Sequence, residues 1–165
     1  MEINHFSSGV ARQGRTIAIR IFPDLDVLET IEEVCRDYGI QYAQITTCIG
    51  SLRRISMNFV STPIPKKDAT SGSGYTSQME MDGAFSVLSG QGLVSPAIEQ
   101  GKLNTHLHFV ISGQHDAVYG GHVEHGTRTL TTLDLFLTEL HGMRIVRKKD
   151  PVTGAVVTSF SQDDE

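Results

Sequence analysis

Only one stretch of this chain carries a helical stripe, and nearly everything after it alternates. Between Asp24 and Tyr38, the residues Leu28, Ile31, Val34, Cys35 and Tyr38 recur with helical spacing. Asp24 is suited to cap that helix and Gly39 to close it. Before it, Arg15–Phe22 reads as a strand with Ile17, Ile19 and Ile21 on one face, stopped by Pro23. After residue 39 come strand-like segments: Ile40–Ile49, ending at a Gly50-Ser51 turn, then Leu52–Val60, Ser77–Met81 and Ala84–Leu93. Leu103–Ser112, Ala117–Val123, Arg128–Leu137 and Met143–Arg147 continue the series. One helix followed by so many strands predicts an α+β fold with a mainly antiparallel sheet.

The 165 residues read as a single domain, with a core spanning about 12–147. With 39% apolar residues and no Trp, that core must be mainly aliphatic. Residues 61–77, rich in Pro, Gly and Ser, read as a flexible loop. Residues 148–165 read as a C-terminal extension in which Asp150–Gly154 turns a short hairpin, ahead of a frayed Gln-Asp-Asp-Glu tail.

The formal charge of −5 argues against broad electrostatic adhesion to nucleic acid. Two cysteines, Cys35 and Cys48, fall on apolar segments and read as buried free thiols. The first residues lack the basic and apolar regions of a secretory signal, and no apolar run approaches the ~20 residues of a membrane span. A soluble, cytoplasmic setting is the expectation.

Chemistry concentrates in two segments, Asn104–Val110 and Tyr119–His125. On a strand, His106 and His108 leave the same face. The segments read as arms of one hairpin around Gly113–Asp116, and paired residues across it share a constant sum of numbers. A sum of 230 sets His108 opposite His122 and His106 opposite Glu124, and any even sum keeps all four on one face. His125 then faces away, and His5, His115 and His141 read as surface residues. Gly120 and Gly121 remove bulk beside His122 and leave room for a ligand. Three imidazoles with an open fourth position match a catalytic zinc site. The plainer alternative makes them polar positions on a half-exposed sheet.

Gly50-Ser51-Leu52-Arg53-Arg54 is the second candidate. Either Arg53 or Arg54 could meet a carboxylate or phosphate, or the two could be a solvated pair at a strand end. No phosphate loop, dinucleotide fingerprint or nucleophile elbow is present.

These segments together resemble the PPC (plant and prokaryote conserved) domain family, known from bacterial and archaeal single-domain proteins and plant AT-hook nuclear proteins. The resemblance is carried in order by Cys48–Arg54, Gly83–Gly90, His106-Leu107-His108, Gly120-Gly121-His122 and Leu137–Leu140. It implies a PPC-like α+β domain packed as a homotrimer. It also implies a metal held by His106, His108 and His122, and a role in DNA binding and transcription. The plant family's AT-hook has no counterpart here. Gly83-Ala84-Phe85-Ser86 also departs from the plant Gly-Arg-Phe-Glu, whose Arg and Glu serve the plant partner contacts.

Three functions follow as expectations. One is a DNA-associated regulatory module. Another is a zinc-dependent enzyme or binder of a small anionic molecule, with Arg53 or Arg54 orienting the anion and Glu124 as general base. The third is a structural trimer whose histidines line an interface.

Overall fold

The structure, a computed structural model, describes residues 6–60, 76–113, 117–150 and 156–163. Its elements in chain order are β1 (Arg12–Ile21), α1 (Val27–Asp37), β2 (Ala43–Val60), β3 (Thr76–Pro96), β4 (Leu103–Ser112), β5 (Val118–Val123), β6 (Arg128–His141), β7 (Met143–Lys149) and β8 (Val156–Gln162). Six strands form one sheet in the order β1-β6-β2-β3-β4-β5, and β7 and β8 form a separate two-stranded sheet. All of these ladders are antiparallel. The architecture is mostly antiparallel sheet with one short helix, as the sequence pattern predicts.

The helix forms where the stripe lies. Val27, Leu28, Ile31 and Cys35 are buried, whereas Tyr38, the C-terminal cap, is exposed. Its N-cap is Asp26 rather than Asp24. Asp26 Oδ1 accepts the N–H groups of Leu28 and Glu29 at 3.0 and 3.1 Å, and Oδ2 accepts Gly126 N–H at 2.6 Å. One carboxylate thereby satisfies the helix start and a distant turn together. Asp24 instead adopts φ 64° and pairs with Arg53.

Two expected strand breaks are absent. Gly50 lies inside β2 at φ 151°, where a Cβ would run into the Thr132 carbonyl. The register between β2 and β6 slips between Gly50 and Leu52, and again between Leu52 and Arg54. The glycine serves a bulge, which bends a strand without ending it. The slip at Arg53 also breaks the alternation, so Leu52 and Ile55 are both fully buried. On β3 the pairing jumps from Leu52↔Phe85 to Arg54↔Asp82, which absorbs Gly83 and Ala84 into one long strand.

Those long strands matter for function. With 18 residues in β2, the sheet can curl until β5 pairs with β2 at Met57↔Val123 and Asn58↔His122. Strands β2, β3, β4 and β5 close on one another, which removes an exposed edge. Inside lie Phe109, Ile55, Met57, Leu107 and Ile111, each side chain stabilising the fold by about 1.5–3 kcal/mol on burial. The core is aliphatic with few aromatics, and burial pushes the Cys35 and Cys48 thiols up to about 11 and about 12. Both thiols are therefore protonated and unreactive.

β6 outruns the expected Leu137 because β1 pairs with it as far as Arg12↔His141. β7 and β8 pair as the expected C-terminal hairpin, while residues 151–154 of its expected turn lie outside the described residues. Met143 and Ile145 of β7 are buried and β7 packs on β3. Order extends further than the expected fraying: Gln162 ends β8 and Asp163 pairs with Arg144 at 2.6 Å. Of the expected 61–77 loop, residues 61–75 lie outside the described residues, and Thr76 and Ser77 open β3. Among the described residues, no helix is long and apolar enough to cross a membrane.

Candidate metal centre

Thr105, Leu107, Phe109 and Ile111 of β4 point into the core, so His106 and His108 leave from the opposite face. Across the hairpin His108 pairs with His122 and Phe109 with Gly121, the even register expected. The three rings gather with centroids 4.7 to 5.3 Å apart. One ring nitrogen from each lies within 4.8 Å of the others. Nε2 of His106 and Nε2 of His108 approach to 3.0 Å.

Their surroundings keep the first two rings neutral. Burial, followed by the proximity of His122, Arg147 and His108, pushes His106 down to about 4. Burial and His122 also lower His108. Neutral imidazole is the metal-binding form. Ligands 2.0–2.1 Å from a tetrahedral zinc ion stand about 3.3 Å apart, close to the His106–His108 spacing. His122 Nδ1 is buried without a full hydrogen bond, 3.4 Å from Glu124 Oε1. A carboxylate behind a histidine in this way fixes its tautomer and leaves the other nitrogen to a metal. The donor set fits a divalent ion.

Glu124 is not where strand pairing alone would set it. The β4–β5 ladder stops at His108↔His122, and Glu124 N–H donates to the Ser56 carbonyl at 2.8 Å on β2. The Glu124 carboxylate accepts Asn58 Nδ2–H at 2.5 Å and stands behind His122. His122, then Asn58, hold its carboxyl below the ordinary range against the opposing effect of burial. Gly121 also has a different reason from the expected one. A Cβ there would sit 2.6 Å from the Asn58 carbonyl, so the missing side chain lets β5 close onto β2.

The two sequence-selected arginines are spent elsewhere. Arg53 pairs with Asp24 at 3.1 Å, and Arg54 reaches Glu80 at 2.9 Å and Asp82 at 3.1 Å. Arg54 also lies four residues before Asn58, a rise of roughly 13 Å along β2. The cation at the triad is Arg147 of β7, whose Nη1 donates to His106 Nδ1 at 2.8 Å and to Thr158 Oγ1 at 3.2 Å. A sequence signal existed, since Arg147 continues the inward alternation of Met143 and Ile145. A cleft of about 500 Å³ opens beside His106 and His108, bordered by Gln44, Thr46, Gln91 and Leu93.

His125 and His141 are exposed, and His5 and His115 lie outside the described residues. His125 does approach Asp26 and Glu29. The Asp26 oxygens, however, already accept three backbone N–H groups, so that group is a helix cap.

The Plants and Prokaryotes Conserved (PCC) domain matches residues 8–141, most of the chain. The chain belongs to this family. It is the same family as the PPC resemblance drawn from the histidine and glycine segments. Three solved structures share the fold. A metal-containing protein from Archaeoglobus fulgidus is 23% identical, covers 96% of this chain and 99% of its own, and has a TM-score of 0.72. A plant- and prokaryote-conserved protein from Pyrococcus horikoshii is 24% identical, with coverage of 90% and 94% and a TM-score of 0.72. A candidate DNA-binding protein from Bacteroides thetaiotaomicron is 18% identical, with coverage of 91% and 97% and a TM-score of 0.69. Among curated proteins, the bifunctional protein GlmU of Synechococcus sp. (strain JA-2-3B'a(2-13)) is 24% identical over 136 residues, 82% of this chain. The chain spans only 18% of that relative's length.

Proposed function

We propose that this PCC-domain chain is a metal-binding module in which His106, His108 and His122 hold one divalent, zinc-like ion. A position is left open for a small anionic molecule. The observation that carries the reading is the 3.0 Å approach of two ring nitrogens beside a third histidine backed by a carboxylate. When bound, such an ion polarises a substrate oxygen or acidifies a bound water. Glu124 holds His122 in the ligating tautomer, a positioning role in place of the general base expected from sequence. The likeness to a metal-containing archaeal protein is in keeping with this. Protein prepared without a metal-affinity column should carry about one zinc-like ion per chain, and His108→Ala should lose it.

A homotrimer belongs to the same reading. Ile49 (54% exposed), Leu88 (54%) and Phe136 (47%) leave large apolar side chains uncovered on the sheet, as expected of a face that meets another copy. Sedimentation should give the mass of three 18.1 kDa chains, and a monomer at micromolar concentration would end it. A cytoplasmic setting accompanies these proposals.

DNA association is the second reading, favoured by the Bacteroides likeness and by exposed Lys148 and Lys149 on β7. The net charge of −5 opposes it. Binding through phosphates would weaken steeply with salt, so the absence of any mobility shift at low salt removes this reading.

A further inference from the structure

Arg147 differs from the ion-paired arginines around it. Arg15, Arg20, Arg53, Arg54, Arg128 and Arg144 each meet a carboxylate. Arg147 is half-buried, and among the described residues its side chain meets two neutral groups, His106 and Thr158. Its Nε is buried without a hydrogen-bond partner. A partly desolvated guanidinium with no carboxylate partner among the described residues and an unspent donor favours an incoming anion.

Its present contact is also incompatible with a metal at the triad. A guanidinium only donates, so His106 Nδ1 must offer its lone pair to Arg147, and the ring proton then lies on Nε2. A neutral imidazole that ligates a metal gives up one lone pair and keeps its proton on the other nitrogen. If Nε2 ligates, the proton moves to Nδ1 and confronts a donor. If Nδ1 ligates, the metal claims the lone pair that Arg147 uses. Either way the contact breaks. The arginine has then lost its histidine acceptor and stands beside a dication, an arrangement that an incoming anion stabilises.

We propose that Arg147 is the anion-holding residue of this site: metal binding releases its guanidinium from His106, and the freed fork takes a small oxyanion, a carboxylate or a phosphate. The inference rests on the metal reading above, narrows its anionic molecule to an oxyanion and names the residue that selects it. Arg147 lies on β7, beyond the span 8–141 matched by the family. The C-terminal hairpin thereby becomes part of the site.

The test uses the whole chain and two titrations. Zinc affinity is measured by chelator competition in a buffer free of oxyanions, and the zinc-loaded protein is then titrated with inorganic phosphate and, separately, acetate. Arg147→Ala should tighten zinc by about 3- to 10-fold, because a competitor for His106 is gone. The same change should weaken the better of the two anions by about 10- to 100-fold. Arg147→Lys should fall between on the anion, keeping charge without the fork. These opposed signs separate the assignment from a structural role, which would weaken both affinities together. A drop in both, or no change in either, overturns the assignment. So does zinc-loaded wild type that saturates with neither anion. Whichever anion binds tighter names the oxyanion type. A wild-type chain that takes up no zinc overturns the metal reading, and this inference falls with it. A chain that takes up zinc but ignores Arg147→Ala overturns this inference alone.

Discussion

The β4–β5 and β7–β8 hairpins both reach His106, one at each ring nitrogen, and they bring opposite chemistry. The first supplies imidazoles on a closed sheet, with Nε2 of His106 facing Nε2 of His108. The second supplies a cation, with Arg147 on Nδ1 of the same ring. The difference teaches that the three imidazoles and the charge beside them come from separate parts of the fold. The histidines sit within the family-matched span, and the cation lies beyond it.

The comparison breaks most sharply at the first hairpin. His108→Ala should lower zinc affinity by more than about 100-fold, exceeding the 10–100-fold worth of outer partners. Equilibrium dialysis reads it, and a loss under tenfold would move the metal away from this hairpin. Glu124→Gln keeps the shape but weakens the acceptor behind His122. It should cost about 10- to 100-fold in zinc affinity while leaving thermal unfolding of the apo protein nearly unchanged.

Acid sharpens the contrast without any substitution. The folded His106 is pushed down to about 4 from an ordinary 6.5, so the unfolded chain binds more protons across that window. Stability of the metal-free protein should therefore rise with pH from about 4 to 6.5 and be lost as pH falls through it. Partial exposure limits the effect to on the order of 1–2 kcal/mol. His106→Asn should flatten this part of the denaturation-against-pH curve, and an unaltered slope would contradict the burial of that ring. The smallest effect belongs to the arginines outside both hairpins. Arg54→Ala removes exposed ion pairs and should change stability by less than about 1 kcal/mol and zinc affinity not at all.

The first hairpin was legible because period-2 alternation and a short turn leave little choice. With Thr105, Leu107, Phe109 and Ile111 inward, His106 and His108 had to share the other face. What alternation could not show was where a strand changes partner. Glu124 leaves the β4 ladder for β2, and Gly121 is small for that closure. Bulges were equally hidden, so Gly50 read as a turn, and the register slip at Arg53 left no local signal. Arg53 and Arg54 drew notice as a pair, but their carboxylates come from Asp24 and from Glu80 and Asp82 on β3, contacts that local pattern does not encode. Arg147 followed two inward apolar residues in plain alternation. Which sheet that face would cover is a matter of tertiary packing, and only the fold revealed it.

The most direct test of the triad is metal content. The chain, purified without a metal-affinity column and exchanged into chelator-free buffer, would be analysed for transition metals per chain. About one zinc-like ion per wild-type chain, absent from His108→Ala, is the expected result. A metal-free wild type whose unfolding is indifferent to added zinc would contradict the account.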